Sequence, residues 1–236
     1  MCDIHSHILY GIDDGAENLN VSIEMLRIAY HQGVRDIFCT SHDCGNLSKY
    51  NKNFQELNQR IFEENINIKL HIGCEILCET DYMEEIIMQL FKAKFYTMNN
   101  TEYVLAEFNP YVDEEEILYC VKMLQDNNWK VIIAHAERYK CLFNNITLVK
   151  SLISMGCFIQ VNAYSLQNET GMEIKKTARY LLKNKLVTFI GSDAHRLSHR
   201  KYNIQNGIEY IYKHCDLEYA QNVCYKNAEK ILLNKK

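Results

Sequence analysis

His5 and His7 are the first residues in the chain whose type and spacing suggest chemistry, because only Ser6 separates them. Residues two apart on an extended strand point to the same face, so both imidazoles can reach one metal ion. Imidazole combined with carboxylate suits Zn, Mn or Fe, whereas sites built only from oxygen ligands favour Mg or Ca. We therefore predict that both histidines are metal ligands.

Further candidate ligands follow most of the other apolar runs in the chain. Six of seven runs are followed by a histidine or an acidic residue, and five of the nine histidines fall there. The additional candidates are Asp14, His42, Glu75, Glu107, His135, Asp193 and His195. Two alternatives stay open: Glu75 could instead cap the next helix, and Asp13 could replace Asp14, because Asp-Asp-Gly is also typical of a turn.

The elements that must position these residues are short apolar runs alternating with longer amphipathic stretches. The runs are Met1–Ile4, Asp36–Thr40, Lys69–Cys74, Tyr103–Ala106, Val131–Ala134, Cys157–Val161 and Val187–Gly191. This pattern predicts an α/β fold, a parallel (β/α) barrel with about seven units, in which the carboxyl ends of the strands share one site. The alternative, an open doubly wound sheet, lacks a glycine-rich phosphate loop after its first strand.

Helices and domain organisation follow from capping and breaking residues. Helices are predicted over Asn20–Gln32 ended by Gly33, over Glu114–Asn127 with Asp113 as N-cap, over Thr147–Met155 before Gly156, and two or three times between Ile204 and Leu233. A single proline, few glycines and no low-complexity run leave no obvious linker. We expect one domain over residues 1–236.

About nine candidate ligands exceed what one ion can use, so the sequence predicts a cluster of two or three ions. Paired ions about 3.5 to 4 Å apart activate a nucleophile and neutralise the oxygens of a transferring phosphoryl group, which favours phosphate-ester hydrolysis. Arg138, Arg196 and Arg200 lie just beyond candidate ligands, and a guanidinium matches phosphate geometry bidentately. These arginines are candidate phosphate clamps.

Composition excludes several other classes of function. The net charge of -4 over 236 residues provides no broad basic field for a nucleic-acid backbone. The first fifteen residues do not resemble a secretory signal, and no stretch is long enough to insert in a membrane. The ten cysteines form no CxxC pair and sit in no phosphate-binding loop, so they are interpreted as reduced thiols of a cytoplasmic protein, and a phosphocysteine route is not expected.

Seven motifs occur here in an order that resembles one known family. They are DIHSHILYGIDDGA at 3–16, TSH at 40–42, GCE at 73–75, AEF at 106–108, AHAERY at 134–139, QVN at 160–162 and GSDAHR at 191–196. Together they resemble the bacterial protein-tyrosine phosphatases of the polymerase-and-histidinol-phosphatase (PHP) superfamily, which are associated with capsule and exopolysaccharide synthesis. The chain differs from the residue types common in this family at Ser41, Asp43, Ala136 and Tyr164. These differences affect the expected shape of the substrate pocket.

The resemblance implies a distorted (β/α)7 TIM-like barrel and a cluster of about three manganese ions, with iron, zinc or magnesium as substitutes. It implies that one ion is held by His5, His7, Glu75 and Asp193, a second by Glu75, Glu107 and His135, and a third by Asp14, His42 and His195. It also implies that Arg138 and Arg200 contact phosphate, with Arg196 as a competitor for the second place. Asp14 or His42 is the candidate for any general acid.

The resemblance further implies that the substrate is phosphotyrosine, on the tail of a bacterial tyrosine kinase that controls polysaccharide export. Phenolate is a good leaving group with a pKa of about 10, so strong acid assistance is not required. Two alternatives remain: a phosphatase of a small monoester such as histidinol phosphate, and a catalytically silent, metal-stabilised module that binds a kinase. Oligomeric state is left open.

Overall fold

Short strands and amphipathic helices alternate along the chain, as predicted. The computed structural model describes residues 1–43, 46–167 and 171–233. The strands are β1 Cys2–Ser6, β2 Asp36–Cys39, β3 Lys69–Ile72, β4 Glu75–Leu77, β5 Tyr103–Glu107, β6 Lys130–Ile133, β7 Phe158–Asn162 and β8 Phe189–Gly191. The helices are α1 Leu19–His31, α2 Leu47–Glu63, α3 Met83–Phe91, α4 Glu114–Asp126, α5 Ile146–Ser154, α6 Met172–Lys183, α7 Gln205–His214, α8 Leu217–Gln221 and α9 Asn227–Leu233, with a π-helical turn at Asn222–Lys226.

All strand pairs are parallel and fall into two sheets, ordered β1-β2-β3 and β4-β5-β6-β7-β8. Backbone hydrogen bonds join the edges of these sheets, because the segment after β2 bonds to β4 and the segment after β8 bonds to β1. The bonds run from Asp43 N to Glu75 O (2.9 Å), Glu75 N to Ser41 O (3.3 Å), Asp193 N to His5 O (2.8 Å) and His7 N to Ala194 O (2.9 Å). The strands therefore follow one another around a barrel-like ring, and the predicted parallel α/β architecture is confirmed.

The third predicted strand is divided in the structure, which corrects the expectation that Glu75 follows a strand. β3 ends at Ile72 and β4 begins at Glu75. At the break, a Cβ on Gly73 would lie 3.1 Å from Thr40 Cγ2 and 3.2 Å from Met98 Sδ, so the backbone packs closely there. Glu75 is consequently held by a strand inside the ring, and no helix begins where it could serve as a cap.

The helix predictions are confirmed to within about one residue at most ends. The side chain of Asp113 accepts a hydrogen bond from Glu116 N and the Glu116 side chain accepts from Asp113 N, which forms the capping box that starts α4. Gly33, just beyond α1, has a φ of +84°, a conformation that favours glycine and ends the helix. The interval between Ile204 and Leu233 contains three helices, as predicted.

The end of the ring opposite the carboxyl ends of the strands is filled by apolar side chains. They are Cys2, Ile4, Phe38, Met98, Tyr103, Leu105, Ile132, Ala134, Phe189, Ala228 and Ile231, all buried. Ala228 and Ile231 come from α9, so this helix closes the apolar end. The candidate metal ligands lie at the other end of the ring. Within the described ranges, no helix is both long and apolar enough to cross a membrane.

Candidate metal centre

An irregularity in β1 turns His5, within the strand, and His7, just after it, into the ring. Asp3 pairs with Ile37 and Ser6 pairs with Cys39, so β1 has one more residue than β2 between these two pairs. Such a bulge redirects the side chains that follow it. Cys2 and Ile4 pack in the apolar end, and after the extra residue the side chains of His5 and His7 both reach the polar end. The predicted common face of the two histidines is thus present.

Glu75 lies at the middle of the candidate ligands. Its Oε2 is 3.0 Å from His5 Nε2 and 3.1 Å from His7 Nε2. The Oδ1 of Asp193, which follows β8, lies 3.7 Å from His5 Nε2 and 3.6 Å from His7 Nε2. Four donor atoms, from three strands and the segments that follow them, therefore face one small volume.

Glu75 also faces a second group of candidate ligands, through both of its carboxylate oxygens. His135 Nε2 is 2.8 Å from Glu75 Oε1 and 3.5 Å from Glu107 Oε1. His42 Nδ1 is 3.3 Å from both Glu75 Oε2 and Glu107 Oε2. Glu75 has the geometry of a carboxylate shared between two ions.

A third group forms where the segment after β1 meets the segment after β8. Asp14 Oδ1 lies 3.7 Å from His42 Nε2 and 3.5 Å from His195 Nε2. The rings of His7 and His195 stack with centroids 3.7 Å apart. All nine candidate ligands from the sequence are therefore adjacent at one end of the ring, and donors of His7, Asp14, His42 and His195 lie within 4.8 Å of one another.

Two buried atoms in this cluster, Glu75 Oε2 and His195 Nε2, make no hydrogen bond of good geometry within the described residues, although two imidazole nitrogens lie 3.0 and 3.1 Å from Glu75 Oε2. In addition, His5 Nε2 and His7 Nε2 lie 3.3 Å apart, which places two nitrogen lone pairs side by side unless a proton or a cation lies between them. Imidazole nitrogens and carboxylate oxygens are the donor set of divalent transition metals. The residues present fit a cluster of such ions.

Burial and the closely spaced charges of the cluster shift the pKa values of its histidines. Burial lowers the pKa of His7, but Asp13 and Glu75 outweigh this effect and raise it to about 10. Burial is outweighed in the same way at His135, where Glu107 and Glu75 raise the pKa to about 9. Burial and the charge of His7 instead lower the pKa of His195 to about 3, so its ring stays neutral. In the metal-free protein, protons on His7 and His135 therefore take the place of cations.

Two of the three candidate arginines reach the cluster. Arg138 Nη1 is 3.3 Å from Asp193 Oδ2, and Arg200 Nη2 is 2.5 Å from Asp193 Oδ1. Arg196 instead pairs with Glu17 at 3.3 Å and donates to the backbone oxygen of Asp14. Arg138 and Arg200 are thus placed to meet an anion at the site, while Arg196 holds the loop that carries Asp14.

Several side chains orient the candidate ligands from outside the cluster, a role that was not predicted for them from the sequence. Asp13, ranked below Asp14, lies 2.7 Å from His7 Nδ1 and accepts a hydrogen bond from His42 N, while Asp14 faces His42 and His195. Tyr139 OH lies 3.3 Å from His135 Nδ1. Gln160 is fully buried on β7. A glutamine within an otherwise apolar strand is the sequence feature that could have indicated its role. Asn162, the last residue of β7, donates to Asp193 Oδ2 at 2.8 Å.

The cysteines do not have the properties of a nucleophile. Each of the nine in the described ranges is a free thiol, either buried or half-buried. Burial raises the pKa of the Cys39 and Cys78 thiols, which is opposite to the shift that activates a thiolate. A phosphocysteine route finds no support in this part of the chain.

The known proteins similar to this chain are tyrosine-protein phosphatases and a family of capsular polysaccharide synthesis proteins. The family model for capsular polysaccharide synthesis, CpsB/CapC, matches residues 1–233. The tyrosine-protein phosphatase CpsB of Streptococcus pneumoniae is 32% identical over 244 residues, which cover 99% of both chains. The tyrosine-protein phosphatase YwqE of Bacillus subtilis (strain 168) is 31% identical over 246 residues, covering 99% of this chain and 92% of YwqE.

Solved structures support the same relationship. One from a study of YwqE and CpsB, described as unique metal-dependent tyrosine phosphatases, matches with a TM-score of 0.90 and 30% identity over 100% of this chain and 96% of its own. The histidinol phosphate phosphatase of Lactococcus lactis subsp. lactis Il1403 matches with a TM-score of 0.56 at 20% identity, covering 90% of this chain and 92% of its own, and so indicates the fold alone. The predicted PHP-type fold is confirmed, and the chain belongs to the CpsB/CapC family of capsular polysaccharide synthesis proteins.

Proposed function

We propose that this protein is a metal-dependent protein-tyrosine phosphatase that acts in capsular or exopolysaccharide synthesis. The observation that carries the proposal is the convergence of all nine candidate ligands at one end of the ring, with Arg138 and Arg200 beside them. The similarity to CpsB and YwqE extends over almost the whole chain and supports phosphotyrosine as the substrate class.

The proposed ligand sets follow the distances between donors. His5, His7, Glu75 and Asp193 would hold one ion, Glu75, Glu107 and His135 a second, and Asp14, His42 and His195 a third. Manganese is the proposed metal, and the mixed nitrogen and oxygen donors also suit iron or zinc, with magnesium as a weaker substitute. Bound divalent ions supply Lewis-acid charge to the phosphoryl oxygens and make a nucleophile available at neutral pH.

The arginines are proposed to bind the phosphoryl group. Both contact Asp193 in this structure, so they lie at the edge of the cluster with their donors already oriented. A guanidinium in this position neutralises charge on equatorial oxygens as it develops, which is the main protein contribution to phosphoryl transfer. Asp14 and His42, two of the more exposed members of the cluster, are the candidates for handing a proton to the departing phenolate.

The wider assignments are also proposals. We propose one domain over residues 1–236, supported by the hydrogen bonds that tie β1 to the segment after β8. The partner would be the phosphorylated tail of a bacterial tyrosine kinase, in the cytoplasm. Cell fractionation followed by co-purification with the kinase tests both assignments.

Substrate choice can be measured directly. The manganese-loaded protein should hydrolyse a phosphotyrosyl peptide with a kcat/KM well above that for histidinol phosphate, because both substrates share the phosphoryl group but phenolate, with a pKa of about 10, is the better leaving group. A preference for histidinol phosphate would replace the tyrosine proposal with a small-molecule phosphatase. Peptide binding without manganese-dependent phosphate release would instead identify a binding module.

A further inference from the structure

β7 is the strand at whose end no ligand was predicted, yet it carries two fully buried amides, Gln160 and Asn162. Gln160 Oε1 lies 3.1 Å from His5 Nδ1, and Gln160 Nε2 lies 2.9 Å from Asn162 Oδ1. Asn162 Nδ2 lies 2.8 Å from Asp193 Oδ2. A continuous chain of hydrogen bonds therefore links the outer nitrogen of one proposed ligand to the outer oxygen of another.

The direction of this chain is determined by a backbone group that has only one possible role. His135 N lies 2.7 Å from Gln160 Oε1, and a backbone N–H can only donate, so this atom of Gln160 must be the acceptor. It follows that Gln160 Nε2 donates to Asn162 Oδ1. Asn162 Nδ2 must then donate to Asp193 Oδ2.

The same assignment determines which ring nitrogen of His5 carries the proton. Gln160 Oε1 has no hydrogen to give, so the contact with His5 exists only if Nδ1 carries the proton. In the neutral ring this leaves Nε2 with a free lone pair, directed at Glu75 and His7. Asp193 accepts from Asn162 and Arg138 at Oδ2, so Oδ1 is directed at the same volume, 3.7 Å from His5 Nε2, and it also accepts from Arg200 Nη2 at 2.5 Å.

We infer that Gln160 and Asn162 are positioning residues that select the tautomer of His5 and the orientation of Asp193, so that His5 Nε2 and Asp193 Oδ1 face one cation together. The inference rests on the proposed metal site, but not on the proposed substrate. Packing leaves the amide little freedom, because a Cβ on Gly191 would lie 2.9 Å from Gln160 Nε2 and 2.6 Å from His5 Cβ. Outer partners of this kind fix a metal-binding imidazole before the ion arrives.

The decisive variant is Gln160→Met, which keeps the length of the side chain and removes both hydrogen-bonding functions. We expect its Kd for Mn²⁺, measured by competition with a chelating dye, to rise about 10- to 100-fold. The matched control is Thr101→Val, which removes a buried hydroxyl that donates to Met98 O at the apolar end of the ring. The control should lose stability and keep the Kd of the wild type within about twofold, since additive effects are expected for distant sites.

Nuclear magnetic resonance of the Zn²⁺-loaded protein gives a readout that a merely structural role would not move. His5 should bind through Nε2 and show a slowly exchanging proton on Nδ1. Gln160→Glu keeps an acceptor for this proton and should retain the signal, whereas Gln160→Met should lose it. A wild-type spectrum with His5 bound through Nδ1 overturns the inference, even if the variants fail to fold.

An unchanged Kd in folded Gln160→Met also overturns the inference. Turnover of a phosphotyrosyl peptide by the manganese-loaded wild type is measured in parallel. Loss of Mn²⁺ affinity in Gln160→Met together with no phosphate release by the wild type leaves the positioning role standing and removes the phosphatase proposal. The two failures are therefore distinguishable.

Discussion

The cluster has a buried half and an open half, and they are built differently. His5, His7, Glu75, His135, Asp193 and His195 are at most 2% exposed. By contrast, the side chains of Asp14, His42 and Glu107 are 61%, 33% and 20% exposed. Within the buried half, Gln160, Asp13 and Tyr139 each contact the outer nitrogen of a histidine.

This difference assigns different tasks to the two halves. A buried ligand held from outside is preorganised, so it loses little conformational entropy when an ion binds. An exposed ligand leaves room for the phosphoryl group and for water to enter and leave. We therefore expect the buried half to determine metal affinity and the open half, together with Arg138 and Arg200, to determine turnover.

The largest effect is expected at the buried half. Asp193→Ala removes a proposed ligand and the carboxylate that pairs with both Arg138 and Arg200. We predict that kcat/KM for a phosphotyrosyl peptide falls about 10³-fold and that one metal equivalent is lost, because a preorganised charge at the reacting centre is worth that much. Activity assays with elemental analysis test this prediction. Wild-type turnover in Asp193→Ala would contradict the ligand assignment.

The protons held by the buried half give a second large effect. The pKa of His7 is raised to about 10 and that of His135 to about 9, so both rings are protonated at pH 7 in the metal-free protein and must release protons to an ion. Because His7 and His135 are assigned to two different ions, one proton is displaced at each site, and the affinity of each site for Mn²⁺ should rise up to about tenfold per pH unit between about pH 6.5 and 9. Calorimetry in buffers of different ionisation enthalpy counts these protons. Binding without proton release would show that the two histidines are not ligands.

The same shifts determine how the stability of the metal-free protein depends on pH. A histidine whose pKa is raised on folding stabilises the fold fully below its unfolded pKa of about 6.5, and this contribution is lost as pH rises through the folded value. The Tm of the metal-free protein should therefore fall between about pH 6.5 and 10. The manganese-saturated protein, in which ions replace these protons, should not show this decline.

A smaller effect is expected at the open half. Asp14→Asn keeps the shape of the side chain and removes its charge. We expect this change to weaken binding of the proposed third ion by about 1.4 kcal/mol, or about tenfold. We predict a drop in kcat of similar size with little change in Tm, because the side chain is exposed. Asp13→Asn is the informative comparison, since Asp13 orients His7 and its loss should reduce metal affinity in the buried half.

The last comparison is between two arginines, and the smallest effect of all is expected at Arg196. Arg138→Ala should reduce kcat/KM by about tenfold or more, because a charge-assisted contact to phosphate is lost. Arg196→Ala should change it less than about twofold, since Arg196 pairs with Glu17 at the surface and exposed pairs contribute little. Equal losses in both variants would mean that the loop after β8 rearranges when substrate binds.

Much of the site could be predicted because it depends on local pattern. The spacing of His5 and His7 predicts a common face on any strand, and a histidine or acid at the end of most of the parallel strands predicts one shared site. The capping box at Asp113 is equally local. These features need no knowledge of the neighbouring strands.

The features that were missed depend on contacts between distant segments. The bulge in β1 exists in its register with β2, and the break before Glu75 reflects close packing of Gly73 on Thr40 and Met98. The choice between Asp13 and Asp14 depends on where His7 and His195 lie once β8 has joined β1. Gln160 acquires its role only when β7 stands between His5 and Asp193.

The central claim is that the strand-end cluster binds the ions that make this protein a phosphotyrosine phosphatase. Its most direct test is to remove all metal with a chelator, add Mn²⁺ back in steps, and measure bound metal and phosphate release from a phosphotyrosyl peptide in the same samples. We predict no release without metal, recovery only after more than one equivalent is bound, and no recovery in His5→Ala. Full activity in the metal-free protein, or in His5→Ala, would contradict the claim.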